Sequence, residues 1–306
     1  NRRDGHSFIQ DVYDKGVRNF IVSSEIDTTS FPDANFLVVT NTLQALQLLV
    51  THHRKQFTYS VIGITGSNGK TIVKEWLYHL LQSDYTIVRS PRSYNSQIGV
   101  PLSVWQMNAK HTLGIFEAGI STINEMENLQ KIISPTVGVL TNIGEAHNEG
   151  FANDAEKLKE KLLLFTHAKK LVYCKDVVDE KLLPSSIKKI SWSKQQEAVI
   201  QFDKIIKGNN SSLLSIIYQK NTHKVTIPFI DDASIENCIT CICTLLALNI
   251  NMGTIVQRIQ LLQALEMRLQ LKKGTNNCSI INDSYSNDIS SLGIALDFLK
   301  QQSGNV

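Results

Sequence analysis

The sequence predicts an α/β fold. A central domain is built on a mostly parallel sheet, a small and partial α/β unit precedes it, and the start of a Rossmann-like domain follows. Three observations carry this. Short β-rich runs alternate with amphipathic helical patterns through the middle of the chain. Those runs are apolar almost throughout, as strands covered on both faces are. One of them enters a glycine-rich turn and is followed at once by a long helical pattern.

The elements follow in order. Residues 1–57 form the first unit, with runs at 8–12, 20–24 and 36–39 and a helix over 43–54 leading out of it. The central domain, 58–272, has strands at 60–65, 86–89, 112–117, 136–141 and 171–174. Its helix over 71–82 repeats Ile72, Val73, Trp76, Leu77, Leu80 and Leu81 on one face. Further helices are expected over 124–133 and 154–165. Beyond Cys174, residues 191–203 and 212–227 suggest an antiparallel set, with Gly208-Asn209-Asn210 as the turn between two runs. Helical patterns then cover 233–249 and 252–265. The third unit, 273–306, opens with a strand at 278–282 and a helix at 290–300. The chain begins Asn1-Arg2-Arg3 without Met and stops just after the apolar stretch 292–299, so the outer units are expected to be parts of longer ones.

Composition narrows the function classes. The 306 residues are 42% hydrophobic and 19% charged, which excludes a disordered chain, a collagen repeat and a coiled coil. A net charge of +3 is too small to imply nucleic-acid binding. Five cysteines make no disulfide framework, which points to a reduced, cytoplasmic setting. The longest mostly apolar stretch, 238–250, is too short for membrane insertion. Cys238 and Cys241 have C-x-x-C spacing, but no second pair or His follows at zinc spacing, so core packing is expected.

The strongest chemical signal is Gly66-Ser67-Asn68-Gly69-Lys70-Thr71, a P-loop of the short G-x-x-G-K-T form, with Ile64 where the longer pattern has Gly. Glycines let successive N–H groups point at phosphate oxygens, and the helix that follows adds positive potential. Lys70 is expected to reach the β- and γ-phosphates and Thr71 to bind Mg²⁺. Polar groups also close the neighbouring strands, where ligands of open α/β sheets bind. They are the N-x-x-x-G-x-P loop from Asn95 to Pro101, Glu117-Ala118-Gly119, Thr141-Asn142-Ile143-Gly144-Glu145-Ala146-His147, and a helix bearing Lys157, Lys159 and Lys161. Taken singly, Glu117 reads equally as a strand-end carboxylate, His147 as a surface residue and the lysines as a solvated face.

Together, T-G-S-N-G-K-T, Y-N-S-Q-I-G-V-P, E-A-G, T-N-I-G-E-A-H and E-K-L-L-L-F resemble the Mur ligase family, the ATP-dependent amide ligases of peptidoglycan precursor synthesis. Asp4-Gly5-His6-Ser7-Phe8-Ile9 and the 95–101 loop are most similar to the type that adds D-alanyl-D-alanine to UDP-N-acetylmuramoyl-tripeptide through an acyl phosphate. The resemblance implies catalytic roles for Lys70, Asn95, His147 and Lys161. It implies ATP contacts from Gly66, Ser67, Asn68, Gly69, Lys70, Thr71, Asn237, Arg268 and Asp283. Of two Mg²⁺ ions, Thr71 and Glu117 would hold one, and His147 with a carbamylated Lys161 the other. Segments 233–237 and 281–285 resemble a Bacteroidetes-type version, often fused to an alanine racemase, here beyond Val306. Two departures touch the site: Ser286 stands where relatives commonly have Asn, and Ala233-Ser234 where they have His-Asn. Competing expectations are another Mur ligase, a folylpolyglutamate synthase-like ligase, or an ATP-binding fragment without catalysis.

Overall fold

The structure, a computed structural model, describes residues 4–144, 150–275, 278–285 and 289–300. Its first unit holds α1 (Ile9–Asp14), β1 (Asn19–Val22), β2 (Asn35–Val38) and α2 (Thr42–Arg54). β1 and β2 pair in parallel, and Ile9, Val22 and Phe31 close a small core against them. Asn41 caps α2 by accepting from Gln44 N at 3.0 Å. At the other end of α2, buried Arg54 donates to the carbonyls of Ile133 and Ser134 and ties this helix to the central domain.

The central sheet runs in the order β11-β10-β9-β8-β7-β6-β3-β5-β4. Its parallel part comprises β3 (Ser60–Thr65), β4 (Ile87–Arg89), β5 (Leu113–Glu117), β6 (Val137–Leu140), β7 (Lys170–Cys174), β8 (Lys188–Ser193) and β9 (Ile200–Lys207). Antiparallel β10 (Ser212–Tyr218) and β11 (Asn221–Ile227) complete it. One face is covered by α3 (Lys70–Leu81), α7 (Asp232–Ala247) and α8 (Met252–Ile259), through Val73, Trp76, Leu77, Ile239 and Ile255. The other is covered by α2, α4 (Gly99–Val104), α5 (Met126–Ile133) and the short turn that follows α6 (Asp154–Leu162), through Val50, Val100, Leu129 and Leu164. This three-layer arrangement explains the near-continuous apolarity of β3, β5 and β6, whose residues are almost all buried. Successive strands leave β3 in both directions, β5 and β4 on one side and β6 on the other. The carboxyl end of β3 is therefore the switch point where such sheets bind ligands.

Three expectations are corrected. Residues 191–203 are not one run: they hold the end of β8 and the start of β9, which run parallel, while β9 and β10 pair antiparallel across the Gly208-Asn209-Asn210 turn as expected. Residues 212–227 are two strands, reversed at Gln219 and Lys220, both at positive φ (51° and 66°). The helix expected over 252–265 ends at Ile259, beyond which Leu261 is exposed while Leu262 is buried. In the last unit, β12 (Gln270–Lys273) and β13 (Ser279–Asn282) pair antiparallel, and α9 (Ile289–Lys300) follows. Cys238 and Cys241 are fully buried in α7, in agreement with core packing. No helix among the described residues is long and apolar enough to cross a membrane.

Candidate functional site

β3 delivers the chain into the Gly66–Gly69 turn, and α3 starts at Lys70 with no side-chain cap on its first N–H groups. A helix start of this kind suits an anion. Gly66 (φ +147°) and Gly69 (φ +81°) lie in the left-handed region. Close approach gives both a second reason to be glycine. A Cβ on Gly66 would collide with Thr141 Oγ1, and one on Gly69 with the Asn237 side chain. The loop is pinned from the end of β6. Ser67 N donates to Asn142 O at 3.0 Å, Asn68 N to Asn142 Oδ1 at 2.8 Å, and Thr141 Oγ1 to Asn68 O at 2.6 Å. Lys70 turns back on the loop and donates to the carbonyls of Gly66 (2.8 Å) and Ser67 (2.9 Å).

Glu117 ends β5 wholly buried beside the loop. Its Oε2 accepts from Thr71 Oγ1 at 3.2 Å and lies 3.5 Å from Asn95 Nδ2. Gly119 lets Asn95 come this close, since a Cβ there would sit 2.9 Å from the Asn95 amide. Lys74 Nζ forms an ion pair with Glu117 Oε1 at 2.9 Å, but out of hydrogen-bond alignment, so that oxygen accepts no hydrogen bond. A buried carboxylate with an open lone pair beside a threonine hydroxyl suits a hard cation. Among the described residues no three His, Cys, Asp or Glu side chains could hold a metal together. Oxygen atoms from a phosphate ligand would have to complete such a site.

The lysine helix resolves its own ambiguity. Asn153 caps α6, and Glu156 returns a bond to Ala152 N, which sets the helix phase. Lys157 and Lys161, one turn apart, face inward and are buried, while Lys159 is exposed. Lys161 Nζ lies 3.2 Å from Gly66 O, directly behind the loop. Burial, with Lys70 and Lys157 as positive neighbours, brings its pKa down to about 7. The folded chain then releases this proton near pH 7 while the unfolded chain holds it to about 10.5, so stability rises with pH between those values. In CO2-free buffer Lys161→Met should melt higher than the parent chain below pH 7, by roughly 5 °C. The gap should narrow toward pH 10.5; a pH-independent gap in calorimetry would contradict the assignment.

A cleft of about 270 Å³ opens beside the loop, lined by Asn68, Gly69, Asn142, Asn237, Arg268 and Asp283 among others. Three residues expected to contact the nucleotide from distant parts of the sequence, Asn237, Arg268 and Asp283, thus meet one wall of the loop. Arg268 stacks on Tyr285 at 4.1 Å and reaches Thr71 Oγ1 at 3.5 Å, while Asp283 accepts from Leu269 N at 3.1 Å. His147 lies outside the described residues. Lys74 escaped the sequence analysis, while Ser93, Thr141 and Asn142 lie in or beside the polar strand-end segments read there but had no role of their own. Ser93 hydrogen-bonds the Tyr285 hydroxyl and sits 3.4 Å from Thr71 Oγ1. Lys74 had one signal, its position one turn after Lys70 within the buried face of α3.

A buried parallel sheet whose central strand enters this loop, with a carboxylate at the end of the adjacent strand, defines a P-loop α/β protein. Residues 64–245 match the Mur ligase middle domain, and the chain belongs to the Mur ligase family. It is 27% identical over 310 residues to the UDP-N-acetylmuramoyl-tripeptide–D-alanyl-D-alanine ligase of Bacillus subtilis, covering 99% of this chain and 66% of that protein. It therefore spans about two thirds of the length of that relative. Its fold is that of a MurF crystal structure from Acinetobacter baumannii (TM-score 0.89, 24% identity, 99% of this chain and 67% of that one). It is equally that of the Thermotoga maritima MurF ligase solved with ADP (TM-score 0.87, 22% identity, 99% and 70%).

Proposed function

We propose that this chain holds the ATP-handling centre of a ligase that joins D-alanyl-D-alanine to UDP-N-acetylmuramoyl-tripeptide, releasing ADP and phosphate. The observation that carries it is the convergence of the Gly66–Gly69 loop, the Thr71–Glu117 pair and buried Lys161 beside one cleft. The name borne by the Bacillus subtilis relative supports the substrates, and the ADP bound in the Thermotoga structure supports the nucleotide. We further assign residues 1–57 to the UDP-substrate unit, 58–272 to the ATP-binding domain and 273–306 to the beginning of a C-terminal ligase domain, working in the cytoplasm.

A carboxylate is a poor electrophile, so ATP must first convert it to an acyl phosphate. Attack on the γ-phosphorus brings two anions together, and charge neutralisation is the main task. Lys70 exchanges two loop carbonyls for the stronger acceptors of the β- and γ-phosphates. The N-terminus of α3 would offer its N–H groups to the same oxygens. Thr71 and Glu117 would hold Mg²⁺, which supplies further neutralisation of the phosphates. The lowered pKa of Lys161 leaves a large fraction as free amine at neutral pH. That amine can add to CO2 and lose a proton, giving a carbamate anion suited to a second Mg²⁺ together with His147. Asn237, Arg268 and Asp283 face the nucleoside side of the cleft. The amine of D-alanyl-D-alanine then attacks the acyl carbon, and phosphate leaves from the tetrahedral intermediate.

Phosphate release from ATP is expected only when UDP-N-acetylmuramoyl-tripeptide and D-alanyl-D-alanine are both present. Release with a single amino acid or with glutamate as acceptor would reassign the chain to another ligase of the family. ATP binding without release under any pairing would make it a nucleotide-binding fragment.

A further inference from the structure

Lys74 is a fully buried lysine whose ammonium lies against four oxygens. They are Glu117 Oε1 (2.9 Å), Glu75 Oε1 (3.0 Å) and the carbonyls of Ser90 (2.9 Å) and Arg92. Glu75 in turn meets Arg89 at 3.1 Å, and Arg89 stacks on Tyr78. A chain of alternating charge, Glu117–Lys74–Glu75–Arg89, therefore runs from the loop to the partly exposed face of α3. Its inner end matters most, because Glu117 is the carboxylate that accepts from Thr71. Lys74 against it offsets the negative charge of Glu117, so the Thr71–Glu117 pair alone attracts a divalent cation only weakly.

Resting on the proposal that Thr71 and Glu117 share a cation, we infer that Lys74 is a positioning residue that makes cation binding conditional on the nucleotide. Lys74 offsets the field of Glu117 in the nucleotide-free protein and holds the carboxylate by one oxygen, leaving Oε2 toward Thr71. Phosphate oxygens then bring the missing negative charge, so metal and nucleotide enter together. Glu75 sets the strength of the effect, since it draws part of the Lys74 charge away from Glu117. A buried positive charge in direct contact with a ligand carboxylate opposes a divalent cation strongly in a medium less polarisable than water.

The test is Mn²⁺ binding at pH 8 by electron paramagnetic resonance, with and without a non-hydrolysable ATP analogue. The parent chain should bind Mn²⁺ tightly only with the analogue. Lys74→Met should bind it without nucleotide about tenfold tighter than the parent chain does. Mn²⁺ should also raise the melting temperature of that variant and not of the parent. Glu75→Gln, at a partly exposed residue, should shift the other way and weaken Mn²⁺ binding in the presence of the analogue. It carries the test if Lys74→Met fails to fold. Equal nucleotide-free Mn²⁺ affinity in Lys74→Met and the parent, or no weakening in Glu75→Gln, overturns the role of Lys74 while leaving the cation site standing. No protein-bound Mn²⁺ in the parent even with the analogue overturns the cation site itself, and the role of Lys74 with it.

Discussion

Lys161→Ala should reduce ligase turnover by about a thousandfold, with partial recovery when formate or acetate is added. The size follows from position. Lys161 is buried behind the loop, and its ammonium would add a third positive charge beside Lys70 and Lys157. On the proposed mechanism a carbamate would reverse that sign and would supply an oxygen ligand where the reaction builds negative charge. A small carboxylic acid placed in the gap left by the truncated side chain restores the anion without the tether. Phosphate release with both substrates measures the loss and the recovery. A carbonyl signal from ¹³C-bicarbonate, present in the parent chain and absent in the variant, identifies the modification directly. Turnover of the variant at the parent rate would remove Lys161 from the chemistry.

Gly69→Ala should weaken ATP binding by about a hundredfold and lower the melting temperature by several degrees. Two costs add. An alanine at φ +81° sits in a region that L side chains avoid, at about 1–2 kcal/mol. Its methyl would also overlap the Asn237 side chain, so the Asn237 amide, the loop or α7 must move. Each movement disturbs the same cleft, because Gly69 and Asn237 line it together. Gly5→Ala is the control, since a Cβ there meets nothing within 4 Å. Calorimetric titration with ATP distinguishes the two variants; equal affinities would show that the loop tolerates the displacement.

The same contrast explains what was legible in the sequence. β3, the turn and α3 could be read almost to the residue because three signals agree there: a buried apolar run, glycines and a one-face repeat. The turn at Gln219 and Lys220 gave no signal, since neither residue favours positive φ and the pairing of β10 with β11 imposes it. α8 stops at Ile259 although apolar residues continue, because Leu262 finds its burial outside helical geometry. Lys157 and Lys161 stood one turn apart in the sequence, but which face of α6 turned inward depended on the rest of the fold. Lys74 was hidden for a different reason. A lysine in a helix defaults to the solvent face, and only the burial of Glu117 beside it makes an inward lysine tolerable.

The pinning of the loop has a consequence for synthesis of the protein. Asn68 and its anchor Asn142 are 74 residues apart in the chain, and β3 lies between two strands that are both made after it. At translation speeds of about 5–20 residues per second, the loop waits roughly 4–15 s for the segment that shapes it. Through that interval β3 is a nascent apolar strand with both edges open. On the ribosome, the phosphate loop is therefore a late product of assembly, although it is among the earliest parts of the central domain to be translated.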